Sequence, residues 1–339
     1  MKNKKFTATS RMKKAGLAVA MAGIAYSVSA QAVLKIAHVV PEGDPRDVAA
    51  RHVADYMSSS ETCQMQANVY PNAQLGGTTD LIEGMQIGAI EAVVLPASFL
   101  VGFQPMMGLF DFPFFWPTDL SKLLEVHKSD AMEALLNTTE RQGIYSKAVW
   151  HTGYKQWTAN SELVEPSDYD GIRARVMPSD ILITQQKALG MTPVNMPFPE
   201  TYSALQSGAI SAQENPISTS FVMGFYEVQD YLIMTNHGNL DQIFMVSKAW
   251  YDNLSNACQM ELDTAIEEGR QIVVDETLAL EERGLQAMID QGTKVVELDD
   301  KQIQALRDTT LPPVRERFLE MTGTEGAAIL EGIEGEIGL

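Results

Sequence analysis

Residues 170–178 carry two arginines in a short run that has the pattern of a strand. Arg173 and Arg175 are separated by Ala174. Because side chains alternate across a strand, both arginines are expected on one face. An arginine at the mouth of a strand offers a planar fork of N–H donors, which pairs with a carboxylate through two charge-assisted hydrogen bonds. The pattern alone is equally consistent with an arginine held in a surface salt bridge.

Signals for catalysis or for a bound metal are sparse. The five histidines show no H-E-x-x-H spacing, and the chain contains no G-x-S-x-G, phosphate-loop or G-x-G-x-x-G motif. An acyl-transfer or NAD-dependent enzyme is therefore poorly supported, although a lyase with scattered residues would leave no such motif. The two cysteines, Cys63 and Cys258, form no C-x-x-C pair, so neither a structural zinc site nor a cofactor is expected. Whether they pair in an oxidising compartment is left open.

Two distant segments share the pattern apolar-Gln-x-Gly-Ala-Ile. Each predicts a helix stopped by a left-handed glycine, Gly88 or Gly208, and followed by a buried strand. Each also follows a strand that ends at a proline and leads into a proline-bearing loop, at 96–98 and at 214–216. The matched order predicts two similar α/β halves. Because open parallel sheets bind ligands beyond the carboxyl ends of their strands, the two loops are expected to face each other across one cleft.

Other segments indicate how the halves are built. Residues 33–40, 48–57 and 65–70 have the pattern strand, helix, strand, which predicts a parallel βαβ unit. Residues 257–290 predict a nearly continuous helix, which at 1.5 Å per residue is ~50 Å long. Gly269 and Gly284 are positions where this helix is expected to bend or break. Its length predicts that it crosses both halves and restricts their rotation.

The first 32 residues have the pattern of a secretory signal peptide. Six basic residues precede any acid, residues 15–25 are apolar and small, and Ala30-Gln31-Ala32 is a small-residue exit site. The apolar run is shorter than the ~20 residues that span a bilayer, which argues against a membrane anchor. The sequence therefore predicts export with cleavage after Ala32, or alternatively after Ala30.

The charge of the remaining chain is strongly negative. Residues 1–32 hold six of the 25 basic residues and none of the 44 acidic ones, so the net charge changes from −19 to −25 on their removal. Nucleic acid and anionic lipid would be repelled, so neither is expected as a partner, and no membrane insertion is expected. An anionic ligand would need a local cation.

Seven short motifs follow one another along the mature chain. They are LGG at 75–77, LFDFPF at 109–114, GIRARV at 171–176, PF at 197–198, YSALQSG at 202–208, QENP at 213–216 and FYEVQ at 225–229. In this order the chain resembles the solute receptors of tripartite ATP-independent periplasmic (TRAP) transporters of the C4-dicarboxylate and sialic-acid type, from about Leu34 to the C-terminus. The resemblance implies an α/β, two-domain fold of the periplasmic-binding-protein kind with hinged lobes. Domain I is expected at 33–152 plus 241–280, and domain II at 153–240 plus 281–339.

The resemblance also implies roles for individual residues. Arg175 matches the arginine that pairs with the ligand carboxylate, Asn215 the asparagine that donates to the same group, and Phe198 an aromatic residue that packs over the ligand. Lys155 stands where many members carry a second arginine, and a lysine supplies charge without the rigid fork. Ser98 lies in a segment that carries an acidic residue in sialic-acid receptors, which argues against that ligand. Further lining residues are expected at His38, Val39, Trp157 and Gln242.

Together these expectations describe an exported periplasmic receptor. It would capture a small carboxylate-bearing solute by closing two lobes, and deliver it to TRAP membrane subunits for uptake driven by an ion gradient. Two other classes stay open: a periplasmic sensor with the same binding chemistry, and a periplasmic enzyme that acts on a carboxylate. One carboxylate is implied, and the rest of the ligand is not.

Overall fold

The computed structural model describes residues 33–339, and the predicted signal peptide lies outside them. The strands over these residues are Val33–Ala37 (β1), Gln66–Tyr70 (β2), Ala92–Pro96 (β3), Ile144–Ala159 (β4), Arg173–Val176 (β5), Thr192–Asn195 (β6), Ala212–Asn215 (β7), Tyr231–Ser247 (β8) and Lys294–Glu297 (β9). The α-helices are Pro45–Ser59 (α1), Thr78–Gln86 (α2), Leu120–Val126 (α3), Asp130–Asn137 (α4), Asp180–Ala188 (α5), Thr201–Gln206 (α6), Ile217–Val222 (α7), Lys248–Tyr251 (α8), Asn256–Asp290 (α9) and Asp300–Ile337 (α10).

These strands form one mixed sheet in the order β2-β1-β3-β8-β4-β7-β5-β6, with β9 added beside β8. β1 pairs in parallel with β2 and β3, which completes the predicted βαβ unit. β5 pairs in parallel with β6 and β7. The long antiparallel strands β4 and β8 join the two parallel groups. We call the half with β1–β3 lobe I and the half with β5–β7 lobe II.

The crossing between the lobes lies inside β4 and β8. The register of this pair shifts at three places, and at the middle one, between His151 and Tyr154, β4 carries a bulge. A bulge interrupts the hydrogen-bond ladder and bends the strand, which suits a joint between two lobes. The predicted domain boundaries at 152/153 and 240/241 fall within these two strands, and they stay a prediction.

The matched segments take matched conformations. After α2 the backbone at Gly88 has φ +73°, and after α6 the backbone at Gly208 has φ +71°. A left-handed residue ends a helix because it turns the chain away from the helical path, and glycine adopts it without a Cβ clash. Ile90 and Ile210 are buried directly afterwards, and β3 and β7 follow. The predicted helix stops are thus confirmed.

Strand β3 of lobe I is buried on both faces, as expected for an inner strand covered by helices. In β3 the side chains of Ala92 and Val94 pack on the face covered by α1 and α9, whereas Val93 and Leu95 pack on the opposite face. This alternation holds β3 rigidly and places its last residue, Pro96, at the carboxyl edge of the sheet.

Helix α9 runs without interruption for 35 residues and contacts both α1 in lobe I and α7 in lobe II. The predicted long helix is confirmed, but its two glycines do not break it. A Cβ at Gly269 would lie 2.6 Å from Cζ2 of Trp150, and one at Gly284 would lie 3.0 Å from Phe221. The glycines therefore let β4 and α7 approach the helix closely.

A disulfide and the last helix hold the helices against neighbouring segments. Cys63 and Cys258 form a disulfide between the loop before β2 and the first turn of α9. Helix α10 is kinked at Gly323 and packs on α5 in lobe II as well as on α3 and α4. Among the helices of residues 33–339, none combines the length and apolar character needed to cross a bilayer.

Candidate functional site

A small cavity of about 20 Å³ lies where the two lobes meet. Both matched loops reach it, because Pro96 ends β3 on one side and Asn215 ends β7 on the other. Most of its walls are apolar, and the polar side chains among its lining residues are two arginines and one asparagine. The lining residues, all buried, are Val39, Val40, Arg46, Pro96, Phe99, Arg175, Met177, Phe198, Asn215 and Leu240.

A larger depression of about 510 Å³ lies on the surface of lobe I. Two of its cations already share one acid, since Glu267 pairs with Lys128 at 2.5 Å and with Arg270 at 2.9 Å. The depression is open to solvent, where such pairs are weak and a ligand gains little by replacing them. The smaller interlobe cavity is the better candidate for a binding site, because its polar side chains are buried.

Arg175 is the central polar residue of the interlobe cavity. It lies in β5, and α5 fixes the strand there because the side-chain amide of Gln186 donates to the Arg175 carbonyl at 3.2 Å. The Arg175 side chain is 2% exposed. Within residues 33–339, neither Nε nor Nη2 of Arg175 has a hydrogen-bond partner. Leaving buried donors unpaired costs folding free energy, so these two nitrogens are candidates for binding an acceptor group of a ligand.

Burial lowers the pKa of Arg175 to about 10, although the negative charge of Glu214 opposes that shift. The guanidinium therefore stays protonated at neutral pH. Its plane is also supported by Phe198, whose ring centroid lies 5.5 Å from the Arg175 Cζ. A cation over an aromatic face is stabilised by the ring quadrupole. Phe198 packs on Phe225 and Leu205 as well, so it belongs both to the core of lobe II and to the cavity wall.

Glu214 lies behind Arg175 and already has its own partners. His237 Nε2 lies 2.7 Å from Glu214 Oε2, and Lys155 Nζ lies 3.6 Å from Glu214 Oε1. Burial alone would raise the pKa of Glu214, but the charge of Lys155, the hydrogen bond with His237 and the charge of Arg175 lower it to about 2. Glu214 thus offsets the positive charges of Lys155 and Arg175, and it forms no hydrogen bond with Nε or Nη2 of Arg175.

Lys155 is buried in this network and is not among the lining residues. Its ammonium also lies 3.9 Å from Asp111 Oδ1. Ser98 Oγ donates to Asp111 at 2.5 Å, and Ser179 Oγ donates to it at 2.6 Å. Burial raises the pKa of Asp111, and Lys155 and the two serines oppose the shift. The structure therefore places Lys155 and Ser98 in a charge network behind the cavity.

Three other predicted positions also lie one layer back from the cavity. Trp157 stacks on His237 with ring centroids 5.1 Å apart. His38 Nε2 contacts Asp47 Oδ1 at 3.2 Å. The side-chain amide of Gln242 donates to the Thr152 hydroxyl at 3.0 Å, and each of these contacts is buried. Of the predicted site residues, the structure brings Arg175, Asn215, Phe198 and Val39 to the cavity, and it places His38, Ser98, Lys155, Trp157 and Gln242 behind it.

Asn215 ends β7 beside the arginine fork. Its side-chain nitrogen donates one hydrogen bond, at 2.5 Å, to the side-chain oxygen Oε1 of Gln213. An amide nitrogen carries two N–H donors, so a second donor is available toward the cavity.

Sequence reasoning missed Arg46, the second residue of α1. Its side chain is buried, and Nε and Nη2 donate to the two oxygens of Asp44 at 2.6 and 2.7 Å. One available signal was position, because a cation in the first turn of a helix opposes the positive end of the helix dipole and needs a reason to be there. Pro96, Phe99, Met177 and Leu240 are apolar lining residues without a signal that separates them from core.

The chain matches a protein-family model over residues 36–321. The model describes DctP, bacterial extracellular solute-binding protein family 7. A C4-dicarboxylate-binding periplasmic protein, DctP, from Rhodobacter capsulatus is 31% identical over 320 residues, which cover 92% of this chain and 95% of the relative.

Two further relatives carry other ligand names. The ectoine-binding periplasmic protein TeaA from Halomonas elongata is 30% identical over 308 residues, covering 89% of each chain. A crystal structure of a TRAP periplasmic solute-binding protein from Desulfovibrio salexigens with bound orotic acid superposes with a TM-score of 0.88 at 30% identity, covering 91% of this chain and 99% of that one. The predicted fold class and family resemblance are confirmed by these matches, and the chain belongs to bacterial extracellular solute-binding protein family 7, the solute receptors of TRAP transporters.

Proposed function

We propose that this receptor captures a small organic acid in the interlobe cavity, with a ligand carboxylate paired to Arg175. One observation carries the proposal: a buried guanidinium that lines the interlobe cavity has two nitrogens, Nε and Nη2, without a hydrogen-bond partner among residues 33–339. A carboxylate fits this fork because its two oxygens match two parallel N–H donors. The relatives support an acid as ligand, since C4-dicarboxylates, ectoine and orotic acid all carry a carboxylate.

Each polar contact has a distinct part in this binding. Arg175 supplies charge and orientation, the second N–H of Asn215 donates to the same carboxylate, and Phe198 packs against both the guanidinium and the ligand. Glu214 and Lys155 set the charge behind the fork. Because the surroundings exclude water, the pairing is stronger than it would be at the surface.

Capture proceeds by lobe closure. Arg175, Phe198 and Asn215 lie in lobe II, so the ligand docks there first, and lobe I then closes over it with Val39, Pro96 and Phe99. The ligand shifts the population toward the closed form because only that form makes all of these contacts. The bulge in β4 is the hinge, and α9, which contacts both lobes, limits the direction of the movement.

The family indicates where the protein works and which partners it has. Its members bind small carboxylates and work with TRAP membrane subunits, and the relatives are periplasmic proteins. For this chain we propose export directed by residues 1–32, cleavage near Ala32, residence in the periplasm, and delivery of the ligand to the membrane subunits of a TRAP transporter for uptake driven by an ion gradient.

Family members are receptors that bind substrates, and we propose that this chain does not turn its ligand over. A periplasmic enzyme would convert the bound acid within hours, which NMR spectroscopy of the incubated ligand would detect. A sensor module would use the same cavity, but it would bind a signalling receptor instead of transporter subunits in a pull-down from membranes.

The binding proposal is tested by a thermal-shift screen of small organic acids, because a ligand at 100 times its Kd stabilises the folded state by about 2.7 kcal/mol. Calorimetry with the best acid then compares Arg175→Ala with Arg173→Ala, an exposed arginine two residues away on the same strand. We expect Arg175→Ala to weaken binding by about 2–5 kcal/mol and Arg173→Ala to leave it unchanged. Equal affinity of the Arg175 variant and the wild type would refute the proposal.

A further inference from the structure

Asp111 lies between the two lobes, behind the cavity wall. It ends the 3-10 helix Pro105–Asp111, which follows β3 in the chain. Ser98 Oγ, in the segment directly after β3, donates to Asp111 Oδ1 at 2.5 Å. Ser179 Oγ, at the N-terminus of α5, donates to Asp111 Oδ2 at 2.6 Å. The two oxygens of one carboxylate therefore join a segment of lobe I to a helix of lobe II.

Both serines are close in the chain to residues that line the cavity. Ser98 lies in the 3-10 helix Ala97–Leu100 and directly precedes the lining residue Phe99. The backbone N–H of Ser179 donates to the carbonyl of Met177, another lining residue, at 2.7 Å. Because Asp111 holds both serines, it also fixes the separation between Phe99 of lobe I and Met177 of lobe II.

The packing of the 3-10 helix 105–111 brings Asp111 within reach of α5. Side chains three residues apart lie one above the other in a 3-10 helix, so positions 108 and 111 share a face. A Cβ at Gly108 would lie 2.8 Å from Cγ1 of Ile181 in α5. Glycine at position 108 thus allows the close approach that the hydrogen bond between Asp111 and Ser179 requires.

The environment of the carboxylate makes the contact with Ser179 effective. Ser98, Asp111 and Ser179 are each at most 4% exposed, so water does not compete for their hydrogen bonds. Ser179 Oγ also accepts from the backbone N–H of Leu182 at 3.4 Å as the N-cap of α5, which leaves the hydroxyl proton for Asp111. A hydroxyl that donates to a carboxylate forms one of the stronger hydrogen bonds found in proteins.

We propose that Asp111 is a positioning residue for ligand binding, because its carboxylate joins Ser98 of lobe I to Ser179 of lobe II in the closed form. This inference rests on the proposed capture of an acid by lobe closure. Separation of the lobes breaks the bond to Ser179, so the bond stabilises the closed form and not the open one, and it shifts the population toward closure. Asp111 thereby slows release of the ligand without touching it.

The test measures the association and dissociation rate constants, kon and koff, by stopped-flow fluorescence. The probe is succinate, orotate or ectoine, whichever binds the wild type most tightly. The serines are replaced rather than Asp111, because removal of the aspartate would also take a counter-charge from the buried Lys155 ammonium, 3.9 Å away. Ser179→Ala is expected to raise koff by about 10-fold through loss of a hydrogen bond to a charged group. Its kon should stay close to the wild-type value, since the ligand docks on the open form.

A matched control separates this role from helix capping. Ser129 is the N-cap of α4 and accepts from the backbone N–H of Met132 at 3.2 Å, entirely within lobe I. Ser129→Ala and Ser179→Ala should both lower the free energy of unfolding of the ligand-free protein in urea, because each removes a helix cap. Ser179→Ala alone should raise koff.

The double variant Ser98→Ala/Ser179→Ala tests whether the effect passes through Asp111. The carboxylate joins the lobes only while both serines hold it, so Ser98→Ala and the double variant should each raise koff by about as much as Ser179→Ala. Independent effects would multiply to about 100-fold in the double variant.

The outcomes separate this inference from the proposed function. The role of Asp111 is overturned if Ser179→Ala raises koff no more than Ser129→Ala does, if it lowers kon instead, or if the two serine effects multiply. In each of these cases, weaker binding by Arg175→Ala leaves the proposed function standing. Unchanged binding by Arg175→Ala removes the proposed function, and this inference falls with it.

Discussion

The ammonium of Lys155 lies 3.6 Å from a carboxylate oxygen of Glu214, and both side chains are about 2% exposed. The charge of the lysine is therefore directed at the protein interior and away from the ligand cavity. Glu214 in turn forms a hydrogen bond with His237, and the His237 ring stacks on the ring of Trp157. Arg175 is the member of this group that faces the cavity, and its neighbours keep their charges satisfied without using its fork.

Replacing Lys155 with methionine should destabilise the protein by about 3–5 kcal/mol, because it removes the buried cation that lies close to both Glu214 and Asp111. Ligand affinity should fall too, since Glu214 then turns to Arg175. Urea denaturation measures the first effect and calorimetry the second. Lys128→Met, which breaks an exposed pair with Glu267, is the control and should cost under about 1 kcal/mol. Equal stabilities of the two variants would contradict the burial argument.

Gly269→Ala should destabilise the protein even though alanine favours helices by about 1 kcal/mol. The added methyl group would lie 2.6 Å from the Trp150 ring, so either α9 or the core of lobe I must shift. Gly335→Ala is the matched control, because Gly335 is exposed in α10 with open space around its Cα. Thermal denaturation should show a lower Tm for the first variant and an equal or higher Tm for the second. A higher Tm for Gly269→Ala would disprove the close approach.

Glu281 on α9 should make stability depend on pH. Its carboxyl group packs against Gly153 in the β4 bulge, and burial raises its pKa to about 7 while the charge of His151 opposes the shift. The unfolded chain has the ordinary value of 4.5, so between pH 7 and 4.5 the folded protein holds a proton that the unfolded chain releases. This carboxyl group therefore favours folding increasingly as the pH falls from 8 to 5, by roughly 1–3 kcal/mol.

Glu281→Gln should remove that dependence and raise the free energy of unfolding at pH 8, where the wild type keeps an ionised carboxylate in a poorly hydrated place. Urea denaturation at pH 5, 7 and 8 measures the difference between variant and wild type, so other titrating groups cancel. Glu282→Gln, at an exposed neighbour, should leave the pH profile unchanged. A Glu281 variant with the wild-type profile would show that the carboxyl group is hydrated.

The Cys63–Cys258 disulfide closes a loop with a sequence separation of 195 residues. Such a crosslink restricts the unfolded chain, so Cys63→Ser/Cys258→Ser should lower the free energy of unfolding by about 3–5 kcal/mol. Reduction of the wild type should have the same effect, and the reductant should not change the double variant. Identical Tm values with and without the disulfide would mean that the unfolded state is already restricted there.

The sequence alone identified the features that depend on interactions between residues close together in the chain. The helix stops at Gly88 and Gly208 were predictable because a left-handed glycine acts within one turn, and the long helix α9 was predictable from its periodicity. Arg175, Asn215 and Phe198 stand in short motifs, so the residues that now line the cavity could be named before the fold was known. Their roles in binding stay proposals.

Only the tertiary structure decided which charges face the cavity. Lys155 and Arg175 both lie on strands, but the register of β4 with β8 and β7 turns the lysine toward Glu214 and Asp111. Arg46 reaches the cavity because α1 of lobe I is brought against lobe II, where Thr219 meets it. Both outcomes depend on contacts between residues more than 40 positions apart. Local sequence leaves several side-chain directions equally available, and the packing of the two lobes selects among them.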